Sequence, residues 1–254
     1  LEFPLDASAS ASALPPLESY RGILFDLDGV LTPTADIHML AWRTLFTEVF
    51  AEKAVDLPYT NDDYYRYLDG KTRYEGVAGL LASRGIDLPW GSPDDPSSAD
   101  TVSGVGNRKN DVFTRVLTEQ GIAPYPGSLA LVRRLHEEGV PMGVVSSSAN
   151  ARWVLTAAGL LDYFPVLVDG VLAAEEHLAS KPAGDMFVRG ARGIGVDPAE
   201  AVVFEDAISG VAAGRAGGFG LVVGVNRGVG ESALLESGAH VVVDDLAAFL
   251  GNER

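Results

Sequence analysis

The chain has 254 residues, 47% of them apolar and 21% charged, which suits one large domain or a core with a smaller partner. Its formal net charge of −16 argues against nucleic acid or an anionic membrane surface as partner, because gripping many phosphates takes clustered Lys and Arg. The lack of cysteine excludes disulfides and thiolate chemistry and fits the cytoplasm, and no apolar run reaches the roughly 18 residues of a spanning helix.

Residues 1–19 carry a small-residue tract from Asp6 to Ala13, followed by Pro15 and Pro16. Without a basic start and an apolar centre this is not a signal peptide, and it reads as a flexible leader. The apolar run beginning at Ile23 then reads as a buried strand, interrupted by Asp26 and Asp28 and followed by Gly29. Strand side chains alternate between faces, so the two acids share a site only if the strand ends and the chain turns, which Gly29 permits. Two carboxylates so close need a cation or a proton between them. A divalent metal with one acid free for chemistry is the expected arrangement.

Ala35 to Phe50 carries apolar residues at helical spacing, and the chain reads as mainly helical to about Gln120. The stretch from Gly85 to Gly104, rich in Pro, Ser, Asp and Gly, reads as an exposed loop. Short aliphatic runs then alternate with helical segments: Val140–Val145, Val166–Val168, Ala201–Phe204, Leu221–Val225 and Val241–Val243. The pattern predicts an α/β fold, a doubly wound parallel sheet made of residues 20–33 and 123–254 with a helical block, 34–122, inserted after the first strand. Ligands of such sheets bind at the carboxyl ends of the strands.

Other strand ends also deliver polar residues. Val145 runs into Ser146-Ser147-Ser148-Ala149-Asn150, able to hold an anion but equally an ordinary helix cap. Lys181 precedes a helix, and Phe204 runs into Glu205-Asp206. The glycines at 210, 214 and 217 follow those acids without the spacing of a dinucleotide loop.

Asp26, Asp28, Ser146, Lys181, Glu205 and Asp206, in that order at strand ends, resemble the four motifs of the haloacid dehalogenase superfamily. The resemblance extends from Tyr20 to Leu250. It implies Asp26 as nucleophile, Asp28 as general acid and base, and Ser146 and Lys181 as grips on the transferring phosphoryl group. It also implies Mg²⁺ held by the Asp26 side chain, the Asp28 backbone carbonyl and Asp206, with Glu205 in support. The acid at position 28 favours phosphoryl transfer over carbon–halogen chemistry. In this reading the helical block is a small cap that closes over the site.

Details of the block resemble the β-phosphoglucomutase branch. His38 with Ala41-Trp42 matches its His-x-x-Ala-Trp, with Trp42 chiefly cap core. Gly70 to Arg73 matches its Gly-x-x-Arg loop, whose arginine binds the non-transferring phosphate. Arg108-Lys109-Asn110-Asp111 matches a run whose lysine reaches the sugar, and Ser148 and Asn150 fall where the branch binds the distal phosphate. Ala149 departs from the pattern at a position usually held by lysine, which leaves more of that charge to Arg73, with Arg152 nearby. Pro33 replaces an acid in the hinge, Gly184 a proline and Ala207 a serine. The branch implies a monomeric mutase interconverting β-glucose 1-phosphate and glucose 6-phosphate through a bisphosphate. The alternative is a phosphatase acting on a sugar phosphate or similar small metabolite. A phosphoacceptor signalling domain would be about half this length and lack the inserted block.

Overall fold

The computed structural model describes residues 14–251. Most of the expected leader lies outside the described residues. Its last part does not behave as a leader: Leu17–Ser19 forms a 3-10 turn, and Leu17 is buried in the core.

Six short strands build the sheet: β1 Gly22–Phe25, β2 Met142–Val145, β3 Val166–Val168, β4 Ala201–Glu205, β5 Leu221–Val225 and β6 Val241–Val243. Their order is β3-β2-β1-β4-β5-β6 and every pairing is parallel. The order reverses between β1 and β4, so the crevice for a ligand opens at the carboxyl ends of these two strands. Alternation along each strand feeds two cores. Ile23, Phe25 and Val144 face one side with Leu131 and Leu135, whereas Leu24, Val145 and Val203 face the other with Met186 and Phe187. Parallel strands covered on both faces read as continuous apolar runs, which is why they were legible.

Among the described residues, ten α-helical segments accompany the sheet. Four lie in the insertion: α1 Ala35–Glu52, α2 Asn61–Asp63, α3 Arg73–Ser83 and α4 Val102–Gln120. The other six are α5 Pro126–Glu137, α6 Ala151–Ala157, α7 Gly170–Glu175, α8 Asp185–Gly193, α9 Ile208–Ala216 and α10 Glu231–Glu236. In α1 the buried Ala41, Trp42, Leu45, Phe46, Val49 and Phe50 recur at i, i+3 and i+4, one apolar stripe. It closes a third core with Leu68, Val77, Leu80 and Val105, so the helical layer has a hydrophobic centre of its own. A π-type turn over Tyr64–Leu68 follows α2.

The loop expected from Gly85 to Gly104 ends earlier. Thr101 caps α4 by accepting from the Gly104 amide at 3.0 Å, and Ser103 is buried with its hydroxyl on the Trp90 carbonyl. Small polar residues here start a helix because their hydroxyls satisfy the free ends of its backbone.

Candidate active site

The chain leaves β1 and turns at once. Asp26 donates its amide to the Phe204 carbonyl of β4, and Gly29 takes φ +85°, a conformation that L side chains resist. A Cβ on Gly29 would stand 1.8 Å from Asp206 Oδ2. The glycine therefore lets the β1 turn lie against the acid that follows β4.

Lys181 is the cation at the centre. Its ammonium is buried 2.5 Å from Asp26 Oδ1 and 2.6 Å from Glu205 Oε2. Burial works against its charge, but the two carboxylates outweigh that and raise its pKa. Burial and then Glu205 push Asp26 well above the usual carboxylate range, with Lys181 pulling the other way. Asp206 is raised for the same first two reasons, then by Asp26 and Asp69. Oxygens of Asp26, Glu205 and Asp206 lie within 4.8 Å of one another. An all-oxygen, over-charged cluster of this kind fits a hard divalent cation, whose charge would relieve the repulsion that raises these groups.

Asp28 has a different environment. Burial alone would raise it, but His38, Thr34 and Lys109 together bring it down to about 2. The Thr34 hydroxyl donates to Oδ1, and Ser146 Oγ donates to Oδ2 at 3.3 Å. His38 Nε2 stands 3.4 Å from Oδ1, too poorly aligned for a strong hydrogen bond. On the far side of that ring, Lys109 Nζ is 2.6 Å from Nδ1 and lies over the rings of Trp42 and Phe113. Burial first, then Arg73, push Lys109 well below the ordinary lysine range. Two carboxylates one residue apart thus sit in opposite electrostatic settings, a split that suits two chemical roles.

The insertion supplies the opposite wall. Arg73 Nη2 donates to Asn110 Oδ1 at 2.9 Å, and Asn150 Nδ2 of the core donates to the same oxygen at 2.7 Å. Ser148 Oγ accepts from the Asn150 amide at 3.2 Å, and Ser146 Oγ from the Ser148 amide at 3.1 Å. Asp26, Asp28, His38, Trp42, Gly70, Arg73, Lys109, Ser146, Ser148, Asn150, Lys181, Glu205 and Asp206 all border one cavity between core and insertion. Arg152, weighed as a substitute for the lysine absent at Ala149, is exposed and not part of its wall. Arg108 also faces away, bonding to Glu52.

Several residues at the site escaped sequence reasoning. Asn110 is the bridge just described. Asp69 and Tyr64 line the same cavity. Arg227 donates from Nε to the Gly29 carbonyl at 2.8 Å and lies 3.8 Å over the Tyr125 ring, holding the β1 turn at the cavity wall. Only the Arg-Lys-Asn-Asp run carried a signal for any of these, at Asn110.

Strand-end acids, a buried lysine and a hydroxyl at the switch point of a parallel sheet define a phosphoryl-transfer enzyme of the haloacid dehalogenase type. The profile described as haloacid dehalogenase-like hydrolase matches residues 20–218, and the chain belongs to that family. Within it the chain stands in the β-phosphoglucomutase-like branch. It is 49% identical over 243 residues to the β-phosphoglucomutase of Mycobacterium tuberculosis, covering 92% of both chains. It is 30% identical over 208 residues to that of Bacillus subtilis, covering 82% of this chain and 84% of the other. The crystal structure of β-phosphoglucomutase from Clostridium difficile superposes with a TM-score of 0.72 at 25% identity, over 90% of this chain and 92% of that one. Among the described residues no helix is long and apolar enough to cross a membrane.

Proposed function

We propose that the chain is a Mg²⁺-dependent mutase that interconverts β-D-glucose 1-phosphate and glucose 6-phosphate through an aspartyl phosphate and a sugar bisphosphate. The observation that carries this is one cavity lined by two sets of phosphate-binding groups. The core brings Asp26, Lys181 and Ser146 to it, and Arg73 of the insertion and Asn150 of the core, joined through Asn110, also border it. A bisphosphate needs both: one phosphate beside Asp26, and one where a guanidinium can pair with it. The names of the mycobacterial and Bacillus relatives supply the choice of sugar.

Starting from Asp26 as aspartyl phosphate, the free hydroxyl of the hexose monophosphate attacks phosphorus as the bond to the Asp26 carboxylate breaks, and Asp28 takes the proton of that hydroxyl, which gives the bisphosphate and frees Asp26. The bisphosphate then turns end for end, and Asp26 attacks its other phosphorus, so that a P–O bond to the carboxylate forms as the bond to the sugar oxygen breaks and Asp28 returns the proton to that departing oxygen. Thr34, His38 and Lys109 hold Asp28 in the ionised form that taking the first proton requires. Lys181 and Ser146 steady the phosphoryl oxygens. Asp26, Asp206 and the Asp28 carbonyl, backed by Glu205, would hold Mg²⁺, which when bound supplies positive charge against the transferring group. The helical layer, residues 34–122, serves as a cap that keeps water from the aspartyl phosphate.

Incubation with β-glucose 1-phosphate, a trace of glucose 1,6-bisphosphate and Mg²⁺ tests the reading. Glucose 6-phosphate is the expected product. Release of inorganic phosphate without glucose 6-phosphate would replace the mutase by a phosphatase using the same residues.

A further inference from the structure

The backbone carbonyls that follow Asp28 are held one by one from elsewhere in the core. The Val30 carbonyl accepts from Ser128 Oγ at 2.7 Å, and the Leu31 carbonyl from the Tyr125 amide at 3.0 Å. The Gly29 carbonyl, first after Asp28, accepts from the Arg227 guanidinium. The Gly29 amide donates in turn to the Thr32 carbonyl at 2.8 Å. Both peptide planes flanking Gly29 are thereby fixed, and the first of them carries the Asp28 carbonyl.

The bonds of Arg227 suit this task better than an ion pair. Its loop follows β5 and is anchored by Asn226, whose amide donates to the Val243 carbonyl at 2.8 Å and whose Oδ1 accepts from the Gly228 and Gly230 amides. From that root, Nε donates to Gly29, Nη1 donates to the Asp244 carbonyl at 2.9 Å, and the planar face lies over the Tyr125 ring. A guanidinium does all three at once because its donors share one plane and its face stacks; an ammonium has neither property. The Asp245 carboxylate stands 3.9 Å from Nη2 and is 42% exposed. Nη2 has no hydrogen-bond partner, so that pair contributes little.

We propose that Arg227 is a positioning residue for the metal: by fixing the Gly29 peptide it holds the Asp28 carbonyl where that oxygen can meet Mg²⁺. The assignment rests on the Mg²⁺ reading above. Position and charge act here with opposite signs. Arg227 is a cation bordering the same cavity as the acidic cluster, so by electrostatics alone its removal would tighten Mg²⁺ binding. Loss of positioning weakens it instead.

The test is calorimetric titration with Mg²⁺ of wild type, Arg227→Met and Arg227→Lys, at a temperature where circular dichroism shows each to be folded. Arg227→Met should raise the Mg²⁺ Kd by ~10-fold or more. Arg227→Lys, which keeps the charge without the planar fork, should raise it too, and it decides the matter if the methionine variant fails to fold. Glucose 6-phosphate formation by the folded variants should recover as Mg²⁺ is raised, with KM for β-glucose 1-phosphate within ~3-fold of wild type. A Kd unchanged or lowered in a folded variant would overturn the proposal and leave Arg227 a packing residue or a simple charge. A raised KM that Mg²⁺ does not correct would make Arg227 a substrate contact and overturn it as well. A wild type that binds no Mg²⁺ would overturn the underlying reading, and that result appears before any variant is made.

Discussion

Lys181 and Asp26, 155 positions apart in sequence, meet as a buried ion pair at 2.5 Å. The same ammonium also serves Glu205, so one cation compensates two carboxylates that have no access to bulk water. Lys181→Met should therefore cost about 3–5 kcal/mol of stability at neutral pH, the penalty of leaving buried charge unpaired. Urea unfolding measures this, and a midpoint equal to wild type would show that the lysine is not compensating the pair.

Asp26→Asn should abolish turnover and leave the fold intact. It removes one charge from a cluster in which Asp26 and Glu205 raise each other's neighbours. Circular dichroism and phosphate release check the two halves, and full activity would reject Asp26 as nucleophile.

The metal-free protein should lose stability as pH rises. Asp69, with an ordinary value of 3.8, is raised to about 7, and Asp26 and Asp206 are raised as well. Between those limits the folded state binds more protons than the unfolded one, so unfolding becomes easier with each step up in pH. Asp28, lowered to about 2, acts the other way and withdraws stability only below its ordinary range. Saturating Mg²⁺ should flatten the rise-side loss, adding about 2.7 kcal/mol at a hundred times its Kd. Thermal melts from pH 4 to 8, with EDTA and with Mg²⁺, give the comparison; parallel curves would count against a cation at the acidic cluster.

Arg73→Ala should damage mutase activity more than hydrolysis of p-nitrophenyl phosphate. Arg73 borders the cavity from the insertion and is held by Asn107 and Asn110; on the proposed reading it pairs with the phosphate that is not being transferred. A loss of about 2–4 kcal/mol in kcat/KM for the sugar is expected for a charge-assisted bidentate contact. Equal losses on both substrates would make the arginine a structural bridge.

Gly29→Ala should weaken Mg²⁺ binding. The new methyl would fall on Asp206 Oδ2 and the residue would have to keep φ +85°. Calorimetric titration with Mg²⁺ reads the effect directly, and an unchanged Kd would show that the turn can relax.

The sheet was legible because parallel strands buried on both faces leave unbroken aliphatic runs, and the acids stood out where those runs stopped. Residues contributed by loops were not. Arg227 contacts Gly29 across 198 positions, and nothing in Asn226-Arg227-Gly228 distinguishes it from a solvated turn. Asp69 follows a tyrosine-rich helical stretch, where a single acid reads as a surface charge; it borders the cavity because the core is seated against its loop through Ser147 and Ser209. The Thr101 cap was missed because the residues that open a helix are also those that fill loops.

Two serine hydroxyls of the core, Ser147 and Ser209, bond to the backbone carbonyls of Gly70 and Asp69 in the insertion rather than to side chains. Docking of this loop is thus indifferent to most of the side chains it displays. Gly70 is the fixed point, since a Cβ there would strike Ser209 Oγ at 1.9 Å. Its neighbours at 69 and 71 can be exchanged without changing these two backbone contacts. The anchoring of this loop and the side chains it turns to the cavity are therefore separable, and one can change while the other is retained.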